Sequence, residues 1–368
     1  MKAGRFVVET HVHAQRVAAG PAVRAAVQQA RSEGRRINPW RVLGNSMPEM
    51  TPYDNSDRLL FDMETYGVDM GVLIPAFGMT DELNVELVER HPDRFVAEYG
   101  GMAFVKECRA GTREWSIDAS VADIRAALST GRFVGLGEQP CYMPVVPLGE
   151  DPRGYILSED EAASNMFRIA EVAREFGVIC RTHSGCTMGY ETGGHHLGSL
   201  GPYNFNVMLV HELAAFFSDV TFVINHGGIQ GSRSKYFFDQ AIHVAAAHDN
   251  VYLETGLWWR ELYDEAFAEP NLGAEKLVWG TDWGASIPCV THLGQSHFEQ
   301  IRKDGPISYQ SDYWGWSLNE LLSVRCSQDD RNLILGGNAA RIYGLPVRHS
   351  RLFRQTSIDG VARPASTR

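Results

Sequence analysis

The chain has 368 residues, 44% hydrophobic and 21% charged, an ordinary globular balance in a chain long enough to bury a large core. Its net charge of −11 argues against a general nucleic-acid binder. No run approaches the roughly 20 apolar residues of a membrane span, and the first strand-like run begins within a few residues of Met1, so neither a membrane anchor nor a signal peptide is expected.

In chain order, the first apolar run covers 6–13 and ends in His11-Val12-His13. Alternate residues of a strand share a face, so the two imidazoles point together and make half of a metal site. Residues 14–54 form a long loop after this strand, with Arg41 following Asn38-Pro39-Trp40. A helix is predicted over 57–66, capped by Asp57 and stopped by Gly67. Strand-like runs follow at 71–77, 95–102 and 133–140, with helices at 81–90 and 121–128 between and after them. Glu138 stands near the end of the fourth run.

A helix over 159–176, from Ser158 to Gly177, leads into the fifth run, 178–184, which carries His183. Arg181, near it, is expected to point away into the layer between strands and helices. The Gly-rich loop 184–205 holds Cys186, Tyr190, His195 and His196. Long loops of this kind are usually functional, and both this one and 14–54 are read as lids. Helix 206–217, run 221–227 with His226, helix 234–248, run 251–257, the pair Trp258-Trp259 and helix 260–267 complete the rhythm up to run 276–283, which carries Asp282 and Trp283. Helical segments at 314–324, 328–333 and 338–343 form an extension. The tail 346–368 has five arginines and one aspartate and reads as a mobile arm or a tie between subunits.

Eight strands alternating with helices are the pattern of a (β/α)8 TIM barrel with long loops at its C-terminal face. A doubly wound sheet is the rival, but it does not explain why chemistry-bearing residues recur at the ends of strands 1, 5, 6 and 8. In a barrel those ends converge. His11, His13, His183 and Asp282 then suit one borderline divalent ion such as Zn²⁺, with Mn²⁺ also accepted. His226 would stand beside it as acid or base. The six cysteines show no Cys-x-x-Cys pair and read as reduced thiols of a cytoplasmic protein.

His11-Val-His13, Thr182-His-Ser-Gly185, Asn225-His-Gly-Gly228 and Gly280-Thr-Asp-Trp283 together resemble the amidohydrolase superfamily, and within it the group typified by aminocarboxymuconate-semialdehyde decarboxylases. The segments Asp62–Asp69 and Gly337–Gly344 resemble that group's flanking regions, so the likeness covers about residues 5–345, read as one domain. It implies one divalent metal on His11, His13, His183 and Asp282, with His226 as the adjoining catalytic residue and a homodimer built through the C-terminal extension. Glu9 replaces the group's usual Asp, and strand 4 ends without the lysine that dinuclear relatives carbamylate. Glu138 there is read as a structural or substrate-facing carboxylate ahead of a second metal ligand.

The resemblance implies either decarboxylation of an unsaturated or aromatic acid, placed first, or hydrolysis of a C–N, C–O or C–C bond by metal-activated water, with Asp282 and His226 as the catalytic residues that move protons in both. Arg41 is the candidate carboxylate clamp, because guanidinium binds carboxylate bidentately. Trp259 and Trp283, with Trp258 beside them, are candidates to stack on a planar substrate. Tyr190 and Glu138 complete the expected small-molecule site. A barrel that binds ligand without catalysis is the remaining alternative.

Overall fold

The computed structural model describes residues 5–14, 16–18, 32–33, 52–54, 56–75, 81–109, 111–137, 159–184, 207–229, 235–284 and 309–347. Eight strands, β1 (Val8–Val12), β2 (Met70–Leu73), β3 (Phe95–Tyr99), β4 (Gly135–Leu136), β5 (Ile179–Thr182), β6 (Phe222–Ile224), β7 (Val251–Glu254) and β8 (Leu277–Val278), form one parallel sheet in sequence order. The seam between β8 and β1 is bridged by a parallel pairing of Val12 with Trp283. Thr10 N–H donates to the Trp279 carbonyl (3.1 Å), and His13 N–H to that of Trp283 (2.7 Å). The sheet therefore curls into a nearly closed (β/α)8 barrel, and the doubly wound alternative falls.

The helices are α1 (Ser56–Tyr66), α2 (Asp81–Arg90), α3 (Met102–Arg109), α4 (Ile117–Leu128), α5 (Glu159–Phe176), α6 (Met208–Phe216), α7 (Lys235–Ala247), α8 (Arg260–Ala268), α9 (Tyr309–Ser323), α10 (Gln328–Asn332) and α11 (Asn338–Ile342). Gly67 and Gly177 take φ of 72° and 62° after α1 and α5, the left-handed stop that glycine permits without strain. Helix α1 starts one residue before Asp57, which lies in its first turn and favours the positive end of the dipole. Helix α3 was not expected, because Met102 reads as the end of an apolar strand.

The strands are shorter than their apolar runs. In β5, β6 and β8 the residues past the ladder, His183, His226 and Asp282, carry the polar groups of the mouth. One core layer lies between barrel and helices, with Val12, Phe95, Cys180 and Leu253 among its members. A second fills the barrel with Val8, Val72, Ile179, Val223 and Tyr252, and the C-terminal segment adds Ala339, Ala340, Tyr343 and Leu345 to it. The predicted extension thus plugs the barrel floor. Asn338 donates through Nδ2 to the carbonyls of Ala274 and Leu277 (both 2.7 Å), which fixes that plug to the entry of β8. Among the described residues no helix is long and apolar enough to cross a membrane.

Candidate metal centre

The centre begins with an irregularity in β1. Three steps along β1, Glu9 to Val12, match two along β2, Gly71 to Leu73. This bulge inserts one residue and reverses which side chains face inward. Val8 below it belongs to the barrel interior and Val12 above it to the helix layer. His11 and His13 consequently turn into the mouth, both buried. Glu9, buried at the seam, accepts the His11 N–H (2.9 Å) and the Thr281 N–H (2.8 Å) on Oε1, and the Thr281 hydroxyl (2.8 Å) on Oε2. The carboxylate that departs from the family's usual Asp therefore ties the residue before Asp282 to the strand bearing the histidines.

Three donor atoms then meet. His11 Nε2 and His13 Nε2 are 3.1 Å apart, and Asp282 Oδ1 lies 3.6 Å from the first and 3.0 Å from the second. Ligands about 2.0–2.1 Å from a tetrahedral ion stand about 3.3–3.4 Å from one another. The protons of both imidazoles are accounted for on their far sides. His11 donates from Nδ1 to Glu254 Oε2 (3.0 Å), and His13 donates from Nδ1 to the Ile74 carbonyl, which only accepts (2.7 Å). In these tautomers two nitrogen lone pairs and a carboxylate oxygen face one point. That arrangement is repulsive by itself and is what a cation requires, so the residues fit a divalent metal. Burial alone would raise the Asp282 carboxyl, but the imidazoles around it, His13 first, outweigh this and lower its pKa.

Asp282 and His226 reach the mouth by strained backbone. Their φ values are 62° and 57°, and with Leu257 (70°) they are the non-glycine residues in the left-handed region among those described. Such conformations cost about 1–3 kcal/mol each and persist where surrounding contacts over-determine them. At His226 those contacts are present: Glu254 Oε2 accepts its N–H (2.8 Å) and Trp258 donates from its indole to its carbonyl (2.8 Å). Gly227 cannot gain a side chain, since a Cβ there would lie 2.4 Å from the Trp258 ring. Burial, with His183 next in effect, pushes the His226 imidazole down to about 3, which keeps it neutral.

Glu254, at the end of β7, joins the two histidines and escaped the sequence reading. In the sequence it sits in the middle of the run 251–257 rather than at its end, and no motif marks it. Burial opposes its charge, yet His11 against it lowers its pKa below the ordinary value. Gly256 and Gly280 leave room for it; a Cβ on Gly280 would lie 2.2 Å from Glu254 Oε1. Two groups of possible ligands share this corner, His11–His13–Asp282 and His11–His226–Glu254. Glu254→Gln is expected to weaken Zn²⁺ affinity about 10–100-fold, the usual cost of losing a carboxylate that orients a ligand histidine. Competition against a chromogenic chelator measures it, and unchanged affinity would remove Glu254 from the centre.

His183, at the end of β5, joins neither group. Its ring meets that of His226 edge to face, with centroids 4.9 Å apart. Arg181 corrects the sequence expectation. It lies two residues from His183, so both side chains share a face, and Arg181 points into the barrel rather than outward. Trp283 belongs to the layer between barrel and helices: its indole donates to Asp62 on α1 (3.1 Å) and its ring lies against Trp314. Trp259, half-buried, precedes α8 and packs on the same layer, while Trp258 braces His226. Arg41, Glu138, Tyr190 and Cys186 lie outside the described residues.

A family profile described as Amidohydrolase matches residues 8–345. The chain belongs to the amidohydrolase family. No curated protein matches this amidohydrolase in sequence. Among solved structures it is similar to 4-oxalomesaconate hydratase from Rhodopseudomonas palustris, at 16% identity and a TM-score of 0.54, over 95% of this chain and 98% of that one. It is also similar to a probable 2-pyrone-4,6-dicarboxylic acid hydrolase from Acinetobacter baumannii, crystallised with citric acid, at 11% identity and a TM-score of 0.50, over 92% and 99%. At these identities the likeness establishes the fold. The family typically binds a divalent metal, and the buried histidine–carboxylate groups of this amidohydrolase can hold one.

Proposed function

We propose that this amidohydrolase holds one divalent transition metal, Zn²⁺ ahead of Mn²⁺, on His11, His13 and Asp282 with His183 completing the set, and acts on a small planar carboxylic acid. The observation that carries the reading is the convergence of two imidazole nitrogens and a carboxylate oxygen whose protons are fixed elsewhere. The two structural neighbours are named for small di- or tricarboxylic compounds, which supports the substrate class. Such an ion, when bound, polarises a substrate oxygen or lowers the pKa of water.

The chain's own residues do the rest. His226, neutral and held by Glu254 and Trp258, moves a proton at its imidazole nitrogen. In hydrolysis it takes the proton of the attacking water and passes it to the leaving group; in decarboxylation it takes a proton from water and passes it to the carbon losing CO₂, the remaining hydroxide leaving with CO₂ as bicarbonate. Arg41 serves as carboxylate clamp, and Tyr190, Glu138 and Trp259 shape the loops that set specificity. Decarboxylation is placed ahead of hydrolysis, and a homodimer through the C-terminal segment is part of the same proposal.

A substrate panel tests it. Metal-loaded protein is expected to release CO₂ from at least one of a series of hydroxybenzoates and muconates. Acid release from lactones or amides, followed in a pH-stat without CO₂ production, would move the assignment to hydrolysis. Silence on both sets, with metal bound, would leave a ligand-binding barrel.

A further inference from the structure

Beneath the metal centre lies a second buried polar cluster that the proposed chemistry does not use. Arg181, one inward position below His183 on β5, is fully buried and spends its guanidinium on three elements. Its Nε donates to both oxygens of Glu98 on β3 (3.2 and 3.0 Å), Nη1 donates to Asn225 Oδ1 (2.7 Å), and Nη2 donates to the Tyr343 hydroxyl. Tyr343 in turn donates to Glu98 Oε1. Burial works against the guanidinium charge, but Glu98 beside it raises its pKa above the ordinary value.

Two features give the cluster a purpose beyond cohesion. Tyr343 comes from the C-terminal segment that plugs the floor, so its hydroxyl links the end of the domain to the barrel interior. Asn225 immediately precedes His226 and opens the strained turn. Its carbonyl accepts the Ser184 hydroxyl, and Ser184 Oγ accepts the Gly228 N–H (2.9 Å), so the turn is clamped from β5 at both ends. Arg181 supplies the grip on its first side chain. A left-handed histidine needs such over-determination.

We propose that Arg181 and Tyr343 are positioning residues: the C-terminal segment, through Tyr343, Arg181 and Asn225, sets the turn that aims His226 into the mouth. The role assigned to His226 rests on the proposed function; the coupling itself does not. Arg181 and Tyr343 direct their polar atoms to Glu98, Asn225 and each other, so metal content is read separately from the link.

The test uses full-length protein with ¹⁵N-labelled histidine, the ring signals of His226 being identified by their loss in His226→Asn. Tyr343→Phe is expected to displace those signals and to speed amide exchange at 225–229 roughly tenfold or more, through loss of the two buried hydrogen bonds of its hydroxyl, while 8–14 is unchanged. Leu345→Ala, which removes floor packing and leaves the polar link intact, is expected to lower Tm without moving the His226 signals. Asn225→Ala cuts the link at its other end and should reproduce the displacement if Tyr343→Phe fails to fold. His226 signals unmoved in the folded Phe variant, or moved equally by Leu345→Ala, would overturn the proposal. Elemental analysis of the same samples reads the metal hypothesis separately: displacement without bound metal keeps the coupling and removes the enzyme assignment.

Discussion

Asp282→Ala is expected to reduce bound metal from about one ion per chain to background, the largest single effect in this protein. Asp282 contributes the only carboxylate oxygen that lies within 3.0–3.6 Å of both His11 Nε2 and His13 Nε2 among the described residues. Without it only neutral imidazoles remain, and the charge that offsets dehydration of a divalent ion is gone. Elemental analysis of the purified protein, wild type against variant and before and after Zn²⁺ supplementation, measures it. Thermal unfolding gives an independent reading. Binding to the native state adds about 2.7 kcal/mol at a hundredfold excess over Kd, so Zn²⁺ should raise the wild-type Tm and leave that of Asp282→Ala unmoved. A wild type that takes up no Zn²⁺ or Mn²⁺ would end the catalytic reading, and two ions per chain would shift the assignment towards hydrolysis.

The second large effect belongs to His226. Loss of a positioned general acid or base typically costs about 10²–10⁴-fold in rate. His226→Asn is the informative substitution, because asparagine tolerates a φ of 57° better than most residues and leaves the turn intact. The expected outcome is a fall of kcat in that range on whichever acid the panel identifies, with KM within a few-fold and metal content at the wild-type level. Equal losses in kcat and kcat/KM mark an interaction made in the transition state. A variant retaining a third or more of the wild-type kcat would exclude His226 from proton transfer and leave it a structural neighbour of His183.

The comparison of sequence with structure separates two kinds of information. Helices α2 and α5 keep their predicted bounds, because apolar spacing along a helix is a local property. The strands shrink relative to their apolar runs: the run 95–102 keeps a strand over Phe95–Tyr99 and then turns into α3. Met102 reads as strand and begins α3, because a single apolar residue carries no period. Chemistry-bearing residues at strand ends were legible for β1, β5, β6 and β8; Glu254 was not, because the apolar run continues to Leu257 and hides the point where β7 ends.

By itself the sequence determined the barrel and the residue types gathered at its mouth, because alternating strand and helix periods have few compact solutions and parallel strands place their C-terminal ends together. Only the tertiary structure decided how those residues meet. The β1 bulge turns His11 and His13 inward, the left-handed φ of His226 and Asp282 aims them, and the Glu9, Glu254 and Arg181 bonds join residues from 44 to 272 positions apart. A bulge, a strained turn and a cross-barrel hydrogen bond are set by partners remote in the chain, and no local period records them.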